Sequence, residues 1–360
     1  MSIEDLKARV AREFGTPAVV VDLDVVERNI ARVQGLCDAA GVANRPHIKT
    51  HKSPVIASLQ RDAGARGITC QKIGEAEVMA EAGHDDILIA YNILGEEKLG
   101  RLGRLLSGTK VTVAADNPTV VAGLPEAAAI GGRDLSVVVE CDTGRKRAGV
   151  ETVAEAVALA KDIASRPGLS FAGFMLYPPE DAMGKTQAFL DEAVAGVRAS
   201  GLEPQIVSSG GTPNLLNLGK IKGVTEHRAG TSVFNDRMML AAGVAQLQDC
   251  ALTVYATVVS RASPERGILD SGSKTLTSDT GGLEGHGLIL EHPQAKIARF
   301  AEEHGFLDLS GCNDRPNVGD VVRVVPNHVC VVVNMVDRLV AVRGHEIVGE
   351  LPVAARGRLT

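Results

Sequence analysis

The sequence predicts a closed barrel of eight β/α units followed by an all-β domain, an α/β plus all-β architecture. Three observations predict it. Between about residues 45 and 235, short apolar runs alternate with stretches of helical period. After about residue 245 that period fades, and β-branched runs separated by Gly, Pro and Asp take over. Ahead of the first helical stretch stands an isolated strand-like run, PAVVVDLD (17–24), of the kind that ties an N-terminus into a later sheet. The expected division is a barrel over 26–244 and a β-domain built from 1–25 and 245–360.

The eight runs, in order, are HIKT (47–50), GITCQ (67–71), DILIAY (86–91), KVTVAAD (110–116), LSVVVECD (135–142), FAGFMLY (171–177), QIVSSGG (205–211) and EHRAGTSV (226–233). A helical pattern, ERNIARVQGLCDAAG (27–41), precedes the first, and others separate the runs, among them SPVIASLQRDAGA (53–65), GEAEVMAEAG (74–83), VETVAEAVALAKDIAS (150–165) and MGKTQAFLDEAVAGVRAS (183–200). Strands alternating with helices imply a parallel sheet with right-handed crossovers, and eight units suit a ring. An open doubly wound sheet is the alternative arrangement. The later runs, LTVYATVVSR (252–261), GDVVRVVPNHVCVVVN (319–334), RLVAVR (338–343) and EIVGELPV (346–353), read as strands.

Composition narrows the function. A net charge of −6 with mixed signs leaves no basic footprint for nucleic acid. No apolar run is long enough to span a bilayer, and the N-terminus lacks the apolar core of a signal peptide. The six cysteines form no CxxC pair, and read as reduced thiols in a cytoplasmic protein. Aromatics at 3% argue against a stacking platform.

In a parallel barrel, chemistry collects where strands end. If 47–51 is extended, Lys49 projects into the mouth with His47 and His51 on its face. There a partly desolvated amine can attack a carbonyl and form an imine. A solvated rim lysine is the plainer reading of the same residue. SSGGTPN (208–214) and RAGTS (228–232) fall after the seventh and eighth strands, where barrels build phosphate sites from bare N–H groups and hydroxyls. Two ordinary turns are the alternative. Arg147, after the fifth strand, is either an exposed charge or a partner for a ring nitrogen or carboxylate. His328 and Cys330, two apart in an apolar strand-like run, share one face and suit an open zinc-type site; a buried cysteine beside a hydrogen-bonded histidine is the plainer account.

Taken together, RPHIKTHK (45–52), TCQK (69–72), GRKRAGV (144–150), SSGGT (208–212), RAGTSVFND (228–236), LDSG (269–272), EEHG (302–305) and PNHVC (326–330) resemble the D-threonine aldolase and D-serine dehydratase family of pyridoxal-phosphate (PLP) enzymes, of alanine-racemase-like fold. The resemblance implies a TIM-like PLP-binding barrel with Lys49 carrying the cofactor and Gln71 beside its ring. Arg147 would face the pyridine nitrogen, and Tyr177, Gly211, Thr212, Gly230 and Thr231 would surround the phosphate. It makes Lys49 and His328 catalytic, and His328 and Cys330 ligands of a divalent metal, Mn2+, Zn2+ or Mg2+. It also implies a homodimer, the barrel mouth of one subunit closed by the β-domain of the other, acting on a small β-hydroxy D-amino acid.

The sequence departs from the aldolase pattern twice. Such aldolases carry Asp where Cys330 stands, whereas the zinc-dependent dehydratases carry Cys; and Tyr177 is followed by Pro178, Pro179 and Glu180, where some aldolases have His-Gly. The expected reaction is retro-aldol cleavage, with dehydration as the alternative. A non-catalytic PLP-carrier protein is disfavoured by the β-domain and the His-x-Cys pair. A racemase is disfavoured because the only tyrosine of the β-domain, Tyr255, lies in a strand.

Overall fold

A computed structural model describes residues 2–360. The chain forms two compact units. One comprises Ala31–Lys49, Pro54–Gly230 and Gly357–Thr360; the other comprises the N-terminal residues up to Ile30, Thr50–Ser53 and Thr231–Arg356.

The first unit is an eight-stranded parallel sheet: Ala43–Asn44, Ile68–Cys70, Asp86–Ile89, Lys110–Ala115, Leu135–Cys141, Leu169–Leu176, Ile206–Gly210 and Glu226–Arg228. From the second to the eighth, each strand pairs with its sequence neighbour, and the eighth pairs with the first. Between first and second, Arg66 and Thr69 donate their N–H groups to the Asn44 and Pro46 carbonyls, and a bridge joins His47 to Thr69, closing the ring. The predicted barrel is therefore present, and the open sheet is not.

Helices follow the strands for local reasons. Asn117 caps Pro118–Gly131 through Val120 N–H, with proline in the first turn, where its missing donor costs nothing. Thr152 and Glu155 form a capping box ahead of Val153–Ser165, whose Ala156, Leu159, Ala160 and Ile163 make its buried stripe.

Two of the eight runs fold differently from expectation. Extended pairing in the first ends at His47, and Ile48–Thr50 is a single 3-10 turn. The flanking strands stop at Cys70 and Arg228, so the backbone beyond His47 has no ladder to join and closes locally. His47, Lys49 and His51 therefore do not alternate on a strand face. In EHRAGTSV only Glu226–Arg228 is a strand, and Thr231–Val233 is another 3-10 turn.

The second unit is built on an antiparallel sheet. Its long strand Leu252–Ser263 pairs with Ala18–Asp22, and Ala18–Asp22 also pairs, in parallel, with Arg338–Arg343. The early run thus enters the late sheet, as predicted. Helix Ile3–Glu13 packs Leu6 and Val10 on Val20, Tyr255, Val340 and Val342. The run 319–334 is the exception to its strand reading. Val321–Val325 is a strand, but Val329–Asn334 is a helix with His328 as its N-cap. Val329, Val332 and Val333 are fully buried at helical spacing, and an apolar run this short fits either period.

Candidate active site

The C-terminal ends of the barrel strands and the loops after them carry Lys49, Gln71, Arg147, Tyr177 and Gly211. Lys49 lies half-buried in the turn after the first strand, its N–H 3.4 Å from His47 Nδ1. Gln71 follows the second strand and is pinned at both ends of its amide: Oε1 lies 3.1 Å from His47 Nε2, and Nε2 donates to the Ala90 carbonyl at 3.0 Å. Its backbone N–H donates to Glu75 at 2.7 Å. A side chain fixed this way presents a constant edge to whatever occupies the mouth.

The loop after the fifth strand is organised by a residue that sequence reading left unassigned. Asp142 accepts N–H bonds from Gly144 at 2.7 Å and Arg147 at 3.1 Å. Burial pushes its carboxyl up, but the backbone donors outweigh that and hold it below the usual carboxylate range. Arg145 stacks on the Tyr177 ring, 4.3 Å from its centroid, and Arg147 lies 5.1 Å from the same centroid. Beneath Arg147, Glu140 stands 3.6 Å from its guanidinium and is 6% exposed. Glu140 is a carboxylate inside the apolar run LSVVVEC, a signal visible in the sequence but not used.

Tyr177 and Gly211 require each other. A Cβ on Gly211 would lie 2.1 Å from Tyr177 Cε2, and the backbone there takes φ +105°. Only glycine lets the ring lie against the loop. The amides counted as bare are partly paired: Gly211 N–H donates to the Arg228 carbonyl at 3.1 Å, and Gly230 N–H to Thr212 Oγ1 at 3.2 Å. The glycines here provide close approach rather than free donors. A planar ring with an anionic tail, held by an amine, fits this mouth: it offers Lys49, a fixed amide, a guanidinium, and an aromatic ring seated on a glycine loop.

In the second unit, His328 and Cys330 sit on the first turn of a helix rather than on a strand face. Asp236, fully buried, orients this turn. Its Oδ2 lies 3.0 Å from His328 Nδ1 and accepts Val329 N–H at 3.1 Å, while Oδ1 caps helix Arg237–Ala241 through Met239 N–H at 3.0 Å. Thr50 Oγ1 lies 3.3 Å from Cys330 Sγ. Burial alone would lower the His328 pKa, but hydrogen bonds to Asp236 and Cys330 raise it to about 10. With Nδ1 bonded to a carboxylate, Nε2 is the ring nitrogen that could turn to a metal, as in a carboxylate–histidine–metal arrangement. Among the described residues no group of three or more His, Cys, Asp or Glu side chains is placed to hold a metal ion. Asp236 was not predicted. An N-cap signal precedes its helix, but nothing in the sequence ties it to His328.

Thr231 opens its own 3-10 turn, with its carbonyl accepting from Asn235 N–H at 2.7 Å. No helix among the described residues is long and apolar enough to cross a membrane.

Known proteins resemble this chain over nearly its whole length. Residues 21–238 match the family described as alanine racemase, N-terminal domain, and 251–342 match a serine dehydratase domain family. D-threonine aldolase of Arthrobacter sp. is 34% identical over 95% of this chain and 93% of its own. D-threo-3-hydroxyaspartate dehydratase of Delftia sp. is 35% identical over 88% and 90%. The crystal structure of D-threonine aldolase from Filomicrobium marinum superposes with a TM-score of 0.89 at 31% identity, covering 96% of each chain. A D-threo-3-hydroxyaspartate dehydratase has also been solved as a cysteine-to-alanine variant in a metal-free form, with a TM-score of 0.85 at 31% identity over 94% of this chain and 97% of that one. The chain belongs to the D-threonine aldolase and D-serine dehydratase family of PLP-dependent enzymes, within the alanine-racemase-like fold.

Proposed function

We propose that the protein is a PLP- and divalent-metal-dependent lyase that cleaves β-hydroxy D-amino acids by retro-aldol reaction, with D-threonine giving glycine and acetaldehyde. The observation that carries the reading is the end-to-end likeness to a D-threonine aldolase, together with a mouth whose strand ends hold Lys49, Gln71, Arg147, Tyr177 and Gly211. We take the working form to be a cytoplasmic homodimer.

PLP, when bound, supplies an electron sink for the charge left at Cα. Lys49 Nζ would hold its aldehyde and Gln71 would flank its ring. Arg147 would face the ring nitrogen, where a fixed cation discourages protonation. Tyr177, Gly211, Thr212, Gly230 and Thr231 would seat the phosphate. His328 Nε2 and Cys330 Sγ would hold a divalent ion able to lower the pKa of a hydroxyl. In cleavage the β-hydroxyl gives up its proton, the Cα–Cβ bond breaks, and Lys49 Nζ would return a proton to Cα.

Dehydration is the second reading, favoured by the thiol at Cys330. Its softness suits zinc, and a dehydratase is among the similar proteins. In that course Lys49 would take the α-proton and the β-hydroxyl would leave.

Product analysis decides between them. Purified, metal-supplemented protein is incubated with D-threonine, and with L-threonine beside it. Glycine and acetaldehyde from the D-isomer alone are expected. Ammonia and 2-oxobutyrate would make the dehydratase reading primary, and turnover of the L-isomer would remove the D assignment.

A further inference from the structure

Charged side chains of alternating sign run through the barrel interior toward Arg147. Arg45 is 4% exposed and pairs with Asp86 at 2.6 Å and Glu226 at 2.8 Å. Glu226 accepts from Ser208 Oγ at 2.6 Å, and Ser208 accepts from Arg228 at 2.7 Å. Arg228 is buried; burial lowers its pKa to about 10, opposed by the charges of Glu226 and Glu140. Glu140 follows, and then Arg147, 3.6 Å away. The signs read minus, plus, minus, plus, minus, plus from Asp86 to Arg147.

A column of this kind has a consequence at its open end. Arg147 belongs to a loop, and its side chain is more than half exposed. It has two anchors, the Tyr177 ring and the Glu140 carboxylate, and only the second carries charge. Burial pushes the Glu140 carboxyl above the usual carboxylate range; the Arg147 and Arg228 charges oppose that rise, and the like charge of Asp116 adds to it. A carboxylate in that position is retained only if paired. The Arg147 guanidinium, 3.6 Å away, is the ion-pair partner that favours its charged form.

We infer that Glu140 is a positioning residue for the reaction: it fixes the Arg147 guanidinium at the barrel mouth and offsets part of its charge, so that the ring nitrogen of the cofactor meets an oriented but discounted cation. This rests on the cofactor reading proposed above.

The test is a double-mutant cycle on the PLP-loaded protein, with wild type, E140Q, R147Q and the double variant. Two readouts other than turnover are taken: the dissociation constant for PLP, and the pH midpoint of the absorbance of the bound cofactor. E140Q is expected to weaken PLP retention about tenfold and to move the midpoint downward by about half a unit, because removing a negative charge disfavours a nearby protonated group. In the R147Q background the same substitution should change retention less than about twofold. E140D, which keeps the charge, should restore the midpoint; E140L, which also removes the charge, replaces E140Q in the cycle if that variant does not fold. Unchanged readouts in E140Q, or equal changes in both backgrounds, would overturn the inference while leaving the cofactor reading intact. A wild-type protein that retains no PLP would overturn both.

Discussion

In the barrel unit, Lys49, Gln71, Arg147, Tyr177 and Gly211 each stand a few residues beyond the end of a parallel strand, so a local stretch of chain sets each position. In the β-rich unit, His328 and Cys330 sit on one helical turn, but the carboxylate that orients them, Asp236, lies 92 residues earlier in the chain. The first kind of site is a product of topology, since any closed parallel barrel collects its strand ends at one rim. The second depends on a single long-range contact. Barrel residues should therefore tolerate changes elsewhere and fail individually, whereas the pair in the β-rich unit should fail together when Asp236 is changed.

The largest effect is expected at Lys49. Lys49→Ala should lower turnover by about a thousandfold or more and abolish the covalent, borohydride-reducible PLP absorbance. Absorbance and mass analysis after reduction check this. Survival of the covalent adduct would move it to another lysine, Lys52 being the nearest in sequence.

Acid and alkali should separate His227 of the barrel from His328 of the β-rich unit, because their shifts have opposite sign. His227 in the barrel is pushed down to about 4, first by burial and then by the Arg228 charge. Between its ordinary value of 6.5 and about 4, the unfolded chain binds a proton that the folded barrel refuses. Stability from this group is complete above that window and falls as pH drops through it, by about 3 kcal/mol in all. His328 is raised to about 10 in the metal-free protein, so its contribution is complete below 6.5 and is lost as pH rises toward 10. Urea denaturation from pH 4 to 10 should show both slopes. His227→Gln should flatten the acid one and leave the alkaline one; an unchanged acid slope would assign it to other groups.

Asp236 carries the next effect. Asp236→Ala removes the acceptor of His328 Nδ1, of Val329 N–H and of the Met239 cap at once. Metal affinity should fall about 10- to 100-fold, and stability by about 1–3 kcal/mol. Calorimetric titration of zinc and manganese into the metal-free variant measures the first, and urea denaturation the second. Unchanged affinity would mean that His328 needs no partner to hold its ring.

The contrast also explains what was legible in the sequence. The eight apolar runs and the change of texture near residue 245 report periodicity, which is local, and the fold followed from them. Gly211 was legible as a glycine loop after a strand, but its reason was not: the Tyr177 ring it accommodates comes from the preceding strand end. HIKT read as a strand because its residues permit one, and only the lengths of its neighbours stop the ladder at His47. PNHVCVVVN read as a strand because a short run of valines satisfies both periods. Glu140, Asp142 and Asp236 escaped because each acts through a partner that no local pattern names.

The smallest effect separates shape from strain at the Tyr177 seat. Gly211→Ala places a methyl group 2.1 Å from Tyr177 Cε2 at φ +105°, so the ring must move. Gly132 also has positive φ, at +66°, but a Cβ there meets nothing within 4 Å. Gly132→Ala should therefore cost about 1 kcal/mol from backbone conformation alone, with PLP retention unchanged. Gly211→Ala should cost about 1–3 kcal/mol and also loosen PLP, because the ring it displaces belongs to the proposed phosphate seat. Urea denaturation and dialysis against PLP-free buffer read the two quantities. Equal stability losses with equal retention would mean that the clash is absorbed by the loop, and that Tyr177 does not depend on the glycine beneath it.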